Sequence, residues 1–281
     1  MRGLLWWMVA VPLSPVMLPL ALHALRTTVR LPVARGPEEG VAGIERTGRP
    51  LRLLVLGEST AVGVGVDQLE DGLAAQLARC LSERFARTVR WKTCGESGIR
   101  LAGALERLLP DVREEEPADI VLLVLGVNDT MGLCGKRRWQ EGLARLIDGC
   151  ADEGARVVLA GVPPIQHFRA LPWLLRHVFG WRASLLDRWA RQVAERKQAL
   201  HLPVRLLFEP RFLARDGYHP RRRDIGTGRK VWPISTWRLW TASKPRVRAR
   251  KTKRPAFKPA LGCVCSPYTC RMNSRTSLLP K

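Results

Sequence analysis

No paired cysteine framework runs through the sequence, which excludes a fold stapled by disulfides. Cys80, Cys94, Cys134 and Cys150 are scattered through the middle of the chain, and Cys263, Cys265 and Cys270 lie close together near its end. The first four read as buried thiols in a reducing compartment. The later three lack both a CxxC pair and a neighbouring histidine, so no metal site is expected there. Acidic residues are also scarce, with 25 Asp plus Glu against 47 Lys plus Arg and a formal charge of +22. The shortage is local: residues 221–281 hold 17 Lys plus Arg and the single acid Asp224, which leaves +6 for residues 1–220. A basic tail sets the charge of the chain, and nothing comparable marks the remainder as a nucleic-acid binder.

At 281 residues the chain is long enough for one α/β domain with appendages, and it can bury a core without covalent staples. Leu4 to Leu25 is an apolar run of 22 residues, long enough to cross a bilayer, followed by Arg26, Arg30 and Arg35. Pro12, Pro15 and Pro19 would kink such a helix, which membrane helices tolerate. Residues 1–35 read as a membrane anchor, with a cleaved signal peptide as the rival. The arginines after the run favour a cytoplasmic domain by the positive-inside rule, export being the alternative. Residues 36–50, rich in Gly, Pro and Glu and without periodicity, read as a linker.

From residue 51 the pattern changes. Leu51–Leu56, Thr88–Thr93, Ile120–Leu125, Val157–Ala160 and Val204–Phe208 are short apolar runs of the kind that form buried parallel strands. Between them, Asp67–Arg87, Leu101–Glu115, Arg137–Glu153 and Ser184–Leu200 carry apolar residues at helical spacing. Strict alternation predicts a three-layer α/β/α sandwich around a parallel five-stranded sheet, since parallel strands need crossover connections. Functional groups on such sheets gather at the carboxyl ends of the strands.

Three strand ends carry suitable side chains. Ser59 follows the first strand in Gly57-Glu58-Ser59-Thr60, a place for a nucleophile or a plain helix cap. Asn128 follows the third in Gly126-Val127-Asn128-Asp129, where its amide can donate to an oxyanion or close a turn. After the last comes Asp216-Gly217-Tyr218-His219-Pro220, in which an aspartate three residues before a histidine can fix the imidazole's tautomer. His167, His177 and His201 show no ligand spacing and read as surface or packing residues. The Trp-containing stretch from Phe168 to Trp181 reads equally as a core helix or as the lining of an acyl or membrane contact.

The ordered set over residues 51–220 resembles the SGNH hydrolases, or GDSL-like lipases and esterases, whose sheet is flavodoxin-like. The resemblance implies a serine esterase working through an acyl-enzyme, without a cofactor, on small-molecule or lipid-like esters. It makes Ser59 the nucleophile, with His219 and Asp216 as its partners. The oxyanion hole would comprise the Ser59 and Gly98 N–H groups and the Asn128 amide, with Gly95 competing for the glycine position. Two departures stand out: Glu58 replaces the family's aspartate beside the serine, and the usual amphipathic helix after the histidine is missing. A catalytically impaired remnant is therefore the alternative reading.

Residues 221–281 read instead as a basic, disordered tail. The rival is a nucleic-acid arm stacking Trp232, Trp237 and Trp240 on bases, or contact with an anionic membrane surface through the same charge. Restoring one base after Pro220 permits codons for Ser-Ala-Ala-Gly-Tyr-Arg-x-Trp-Ala-Glu, which resembles the family's continuation. A shifted reading frame is thus expected to encode an amphipathic helix in the gene beyond that point.

Overall fold

A computed structural model describes residues 2–114, 116–151, 154–204, 214–216 and 219. Six strands form one sheet: β1 (Glu39–Ala42), β2 (Leu51–Gly57), β3 (Val89–Gly95), β4 (Ile120–Val124), β5 (Arg156–Ala160) and β6 (Leu200–Leu202). Their order is β1-β3-β2-β4-β5-β6, with every pairing parallel except β1 against β3. Successive side chains of a strand point to opposite faces, and both faces here are apolar. Leu53 and Val55 of β2 pack with Ile120, Leu122 and Val158 beneath α2 (Leu73–Phe85). Leu54 and Leu56 pack with Val121, Leu123 and Leu159 on the other face.

That second face is covered by three helices. The run α3 joins Leu101–Gly103, a π-wound turn at Ala104–Leu108 and Leu109–Glu114; α5 is Lys136–Ala151 and α6 is Trp173–Lys197, while a short α4 (Val127–Met131) follows β4. Trp139, Leu143, Leu146, Ile147 and Cys150 recur at helical spacing on the inner side of α5. Trp139 is fully buried and its indole N–H donates to the Leu186 carbonyl at 3.0 Å, so truncation to alanine would cost about 3–5 kcal/mol. The α/β/α layering expected from the sequence is the one observed.

The sheet differs from expectation at both edges. It has six strands rather than five, and one is antiparallel. Glu39–Ala42, inside the stretch read as a linker, pairs with the outer edge of β3 and satisfies its backbone groups. It was illegible because an edge strand of four residues has too few core positions to show a period. At the opposite edge β6 is Leu200–Leu202, which bonds to β5, and Val204 lies outside any strand. The rest of the run expected at Val204–Phe208 lies outside the described residues, as do residues 221–281.

The apolar run at the amino terminus is a single helix, α1 (Arg2–Thr27). Its prolines leave carbonyls four residues back without donors, and the Ser14 hydroxyl supplies one by donating to the Val11 carbonyl at 2.6 Å. Trp6, Ala10 and Met17 pack on Leu175, Val178 and Leu185 of α6. The Trp6 indole N–H donates to the Val178 carbonyl at 2.8 Å, and the buried Arg182 guanidinium lies 4.5 Å from the Trp6 ring centroid. The outer face of α1 is apolar too: Leu4, Met8, Leu18 and Leu25 are each more than 60% exposed. After α1 the chain runs beside the segment that follows Ser59, with the Ala34 N–H donating to Val62, the Arg35 N–H to Asp67, and the Leu69 N–H back to Arg35.

Candidate active site

Ser59 sits two residues past the end of β2, where the backbone is crowded. A Cβ on Gly57 would collide with the Val124 carbonyl of β4, and one on Gly95 would lie 2.5 Å from the Gly57 carbonyl. Glycine at both positions lets three strand ends meet beneath the serine, and the Glu58 N–H donates to Val124 at 2.9 Å to close the junction.

His219 reaches this serine from 160 residues further along the chain, its Nε2 lying 2.7 Å from the Ser59 Oγ. The other ring nitrogen, Nδ1, is 2.5 Å from Asp216 Oδ2. Oδ1 of the same carboxylate accepts the His219 backbone N–H at 3.2 Å, and the Ala214 N–H donates to the His219 carbonyl at 2.7 Å. Asp216 thus holds both the backbone and the ring of the histidine three residues on. Asp216 is 5% exposed, so its charge faces the imidazole with little screening by water. In such an array the hydroxyl can pass its proton to the imidazole, whose developing positive charge the buried carboxylate stabilises.

The two other expected residues are placed differently. Gly98 lies in the loop after β3, exposed, with φ of 84°, a left-handed conformation that favours glycine. Asn128 opens α4 and is held on two sides: its Nδ2 donates to Glu58 Oε2 at 2.7 Å and to the Ile99 carbonyl at 3.2 Å. Both amide hydrogens are engaged, and donation to a substrate oxygen requires that one be shared, the longer bond to Ile99 having least to lose. That bond also ties Asn128 to the loop containing Gly98.

Glu58 is the partner that holds Asn128 and the start of α4. It is 4% exposed, and its carboxylate accepts the Val127 N–H, the Asn128 N–H and the Asn128 side-chain amide. Burial pushes its pKa up to about 7, against the pull of the Asn128 and Val127 backbone donors. Asp129, next to the amide, is likewise pushed up by burial, to about 6, and accepts the Leu101 N–H at the start of α3. Sequence reasoning missed that acid as a tie between two loops, although its place directly after Asn128 was a signal.

Two further histidines, His201 and His177, have structural partners. His201 Nε2 lies 2.9 Å from Asp187 Oδ1, which also accepts the Val162 N–H after β5, and His177 Nδ1 lies 2.8 Å from the Trp173 carbonyl. Cys80, Cys94, Cys134 and Cys150 form no disulfide. Burial raises the thiol pKa of Cys134 to about 11 and of Cys150 to about 12. Among the described residues no group of three or more His, Cys, Asp or Glu side chains is arranged to hold a metal ion.

A cavity of about 620 Å³ opens above Ser59, lined by Glu58, Asn128 and His219 at its polar end. Most of its wall is apolar, including Leu77, Leu81, Phe168, Leu175 and Phe179. Of the stretch Phe168–Trp181, the part from Trp173 is the start of α6, and Phe168, Leu171, Leu175 and Phe179 line the cavity. Ala21, Ala24 and Leu25 of α1 complete the wall, a contribution that the hydropathy of α1 alone concealed.

A serine, a histidine and an aspartate above the carboxyl edge of a flavodoxin-like sheet place the molecule among the SGNH-type α/β/α proteins. The chain belongs to the GDSL-like Lipase/Acylhydrolase family, whose model matches residues 55–223. It is 29% identical over 179 residues to a GDSL-like esterase of Mycobacterium tuberculosis, a match covering 60% of this chain and 56% of that one. It is also 33% identical over 114 residues to the esterase TesA of Pseudomonas aeruginosa, covering 40% of this chain and 55% of that one. The chain thus spans little more than half the length of these curated relatives. Among solved structures, the esterase EstA of Pseudoalteromonas sp. superposes with a TM-score of 0.53 at 19% identity, over 68% of this chain and 99% of that one. A crystal structure of TesA gives 0.51 at 24% identity, over 69% and 98%. Likeness at that level concerns the fold.

Proposed function

We propose that the chain is a serine esterase that hydrolyses carboxylic esters through an acyl-enzyme. The observation that carries this reading is the continuous array from Ser59 Oγ through His219 to the buried Asp216, opening on a cavity. Ser59 Oγ attacks the ester carbonyl carbon while His219 Nε2 takes the hydroxyl proton. The carbonyl oxygen gains negative charge, for which the Ser59 and Gly98 N–H groups and the Asn128 amide are the donors. Collapse of this intermediate expels the alcohol, protonated by His219, and leaves the acyl group on Ser59. Water, deprotonated by the same imidazole, then attacks the acyl carbon and releases the acid with Ser59 restored.

α1 anchors the domain to a membrane, and the arginines after it favour the cytoplasmic side. A second reading, a remnant that keeps the array without turning over, is favoured by one observation: both Asn128 amide hydrogens are already engaged. The test is hydrolysis of a nitrophenyl butyrate ester by the full chain and by Ser59→Ala, with fluorophosphonate labelling of each. Turnover that falls at least about a thousandfold in the variant supports the esterase. Labelling of Ser59 without turnover selects the remnant, and turnover indifferent to Ser59→Ala overturns both.

A further inference from the structure

We infer that α1 is one wall of the acyl-binding site, so that the protein takes esters of long acyl chains from the membrane in which that helix rests. The inference builds on the proposed esterase and names its substrate class. Three observations meet. First, the cavity holding Ser59 and His219 is lined mostly by apolar side chains, Leu77 and Leu81 of α2 and Leu175 and Phe179 of α6 among them, with Arg30, Gln76 and Arg100 as further polar lining residues. About 620 Å³ is far more than the acyl half of a short-chain ester fills.

Second, α1 turns small side chains to this space. Ala21 and Ala24 line it, and Ala24 is 5% exposed, so bulk added there goes into the cavity and not into solvent. Third, Leu25 lines the same cavity and yet is 67% exposed, beside Leu18 and Leu22 on the outer apolar face of the helix. The cavity wall and the lipid-facing surface therefore meet at one residue, which marks a mouth on the bilayer side. A chain of methylenes sliding along α1 stays out of water throughout, so longer acyl chains gain more from this path than short ones. The hydrogen bonds from Ala34 and Arg35 to the segment after Ser59 fix the register between that wall and the nucleophile.

The experiment compares the full chain with Ala24→Trp and Ala21→Phe in detergent micelles, using nitrophenyl butyrate and nitrophenyl palmitate. Filling the wall is expected to lower the ratio of kcat/KM for palmitate to that for butyrate at least about tenfold. Circular dichroism and a melting temperature close to that of the full chain show that the variants fold. Equal loss on both esters, or on neither, overturns the inference. A parallel binding measurement removes the dependence on catalysis: Ser59→Ala is titrated with palmitate by displacement of a fluorescent apolar dye, with and without Ala24→Trp. Binding that Ala24→Trp weakens about tenfold upholds the acyl wall even if no ester is turned over, in which case only the esterase reading fails. Palmitate binding that appears only after removal of residues 221–281 overturns the inference and assigns the space to the chain's own tail.

Discussion

At the scale of single residues, Glu58 does the most work outside the serine–histidine–aspartate array. Its carboxylate collects three N–H donors from Val127 and Asn128 in a site that burial makes hostile to charge. Asp129, beside it, is in the same position. Both have folded-state pKa values above their ordinary ones, at about 7 and about 6, so the folded protein binds protons that the unfolded chain releases. Their contribution is fully present below the ordinary carboxyl range and is lost as pH rises through about 6 to 7. The expected outcome is a melting temperature that falls between about pH 5 and about pH 8, with a shallower slope in Glu58→Gln. A slope unchanged by that substitution would rule Glu58 out as its source. The site was partly legible in the chain: strand-end placement and spacing pointed to Ser59, Asn128, Asp216 and His219. The hold of Glu58 on Asn128 was not, because it joins residues 70 apart through a contact that only the packed sheet creates.

Among the elements, legibility followed burial. The interior strands β2, β4 and β5 announce themselves as apolar runs and β3 by the alternation of Val89, Trp91 and Thr93 with Arg90 and Lys92, whereas β1 and β6 at the edges leave only faint marks. The run expected at Ser184–Leu200 begins inside α6, whose earlier residues lie in the stretch read equally as a core helix or a lining; Leu175 and Val178 there pack on α1, so those apolar positions follow a different face. α1 was read as a tether, yet it is docked. Trp6 is 2% exposed, hydrogen-bonded to Val178 and covered by Arg182, so Trp6→Ala is expected to weaken the docking by about 3–5 kcal/mol. Limited trypsin digestion checks this: cleavage at Arg26 and Arg30 should accelerate in the variant, and an unchanged rate would mean that the helix is held elsewhere.

At the scale of the whole molecule, α1 and the domain are joined by packing and by a backbone bracket. Removing residues 1–28 uncovers Leu175, Val178 and Leu185 on α6, and the shortened protein is expected to bind more anilinonaphthalene dye than the full chain. Removal extended through Gly36 also deletes the hydrogen bonds that join Ala34 and Arg35 to Val62, Asp67 and Leu69. At about 1 kcal/mol for each bond and about 2–4 °C per kcal/mol, the longer deletion should melt several degrees below the shorter one. Equal melting temperatures would show that this bracket contributes nothing. The distance along the chain between Ser59 and His219, 160 residues, has a consequence for biosynthesis. Domains begin folding from the amino terminus while the rest is still being translated. α1 and the serine leave the ribosome first, and the imidazole emerges only when the domain is almost complete. Until then the nascent protein carries a serine without its histidine, and the proposed nucleophile gains its base only once residue 219 has been made.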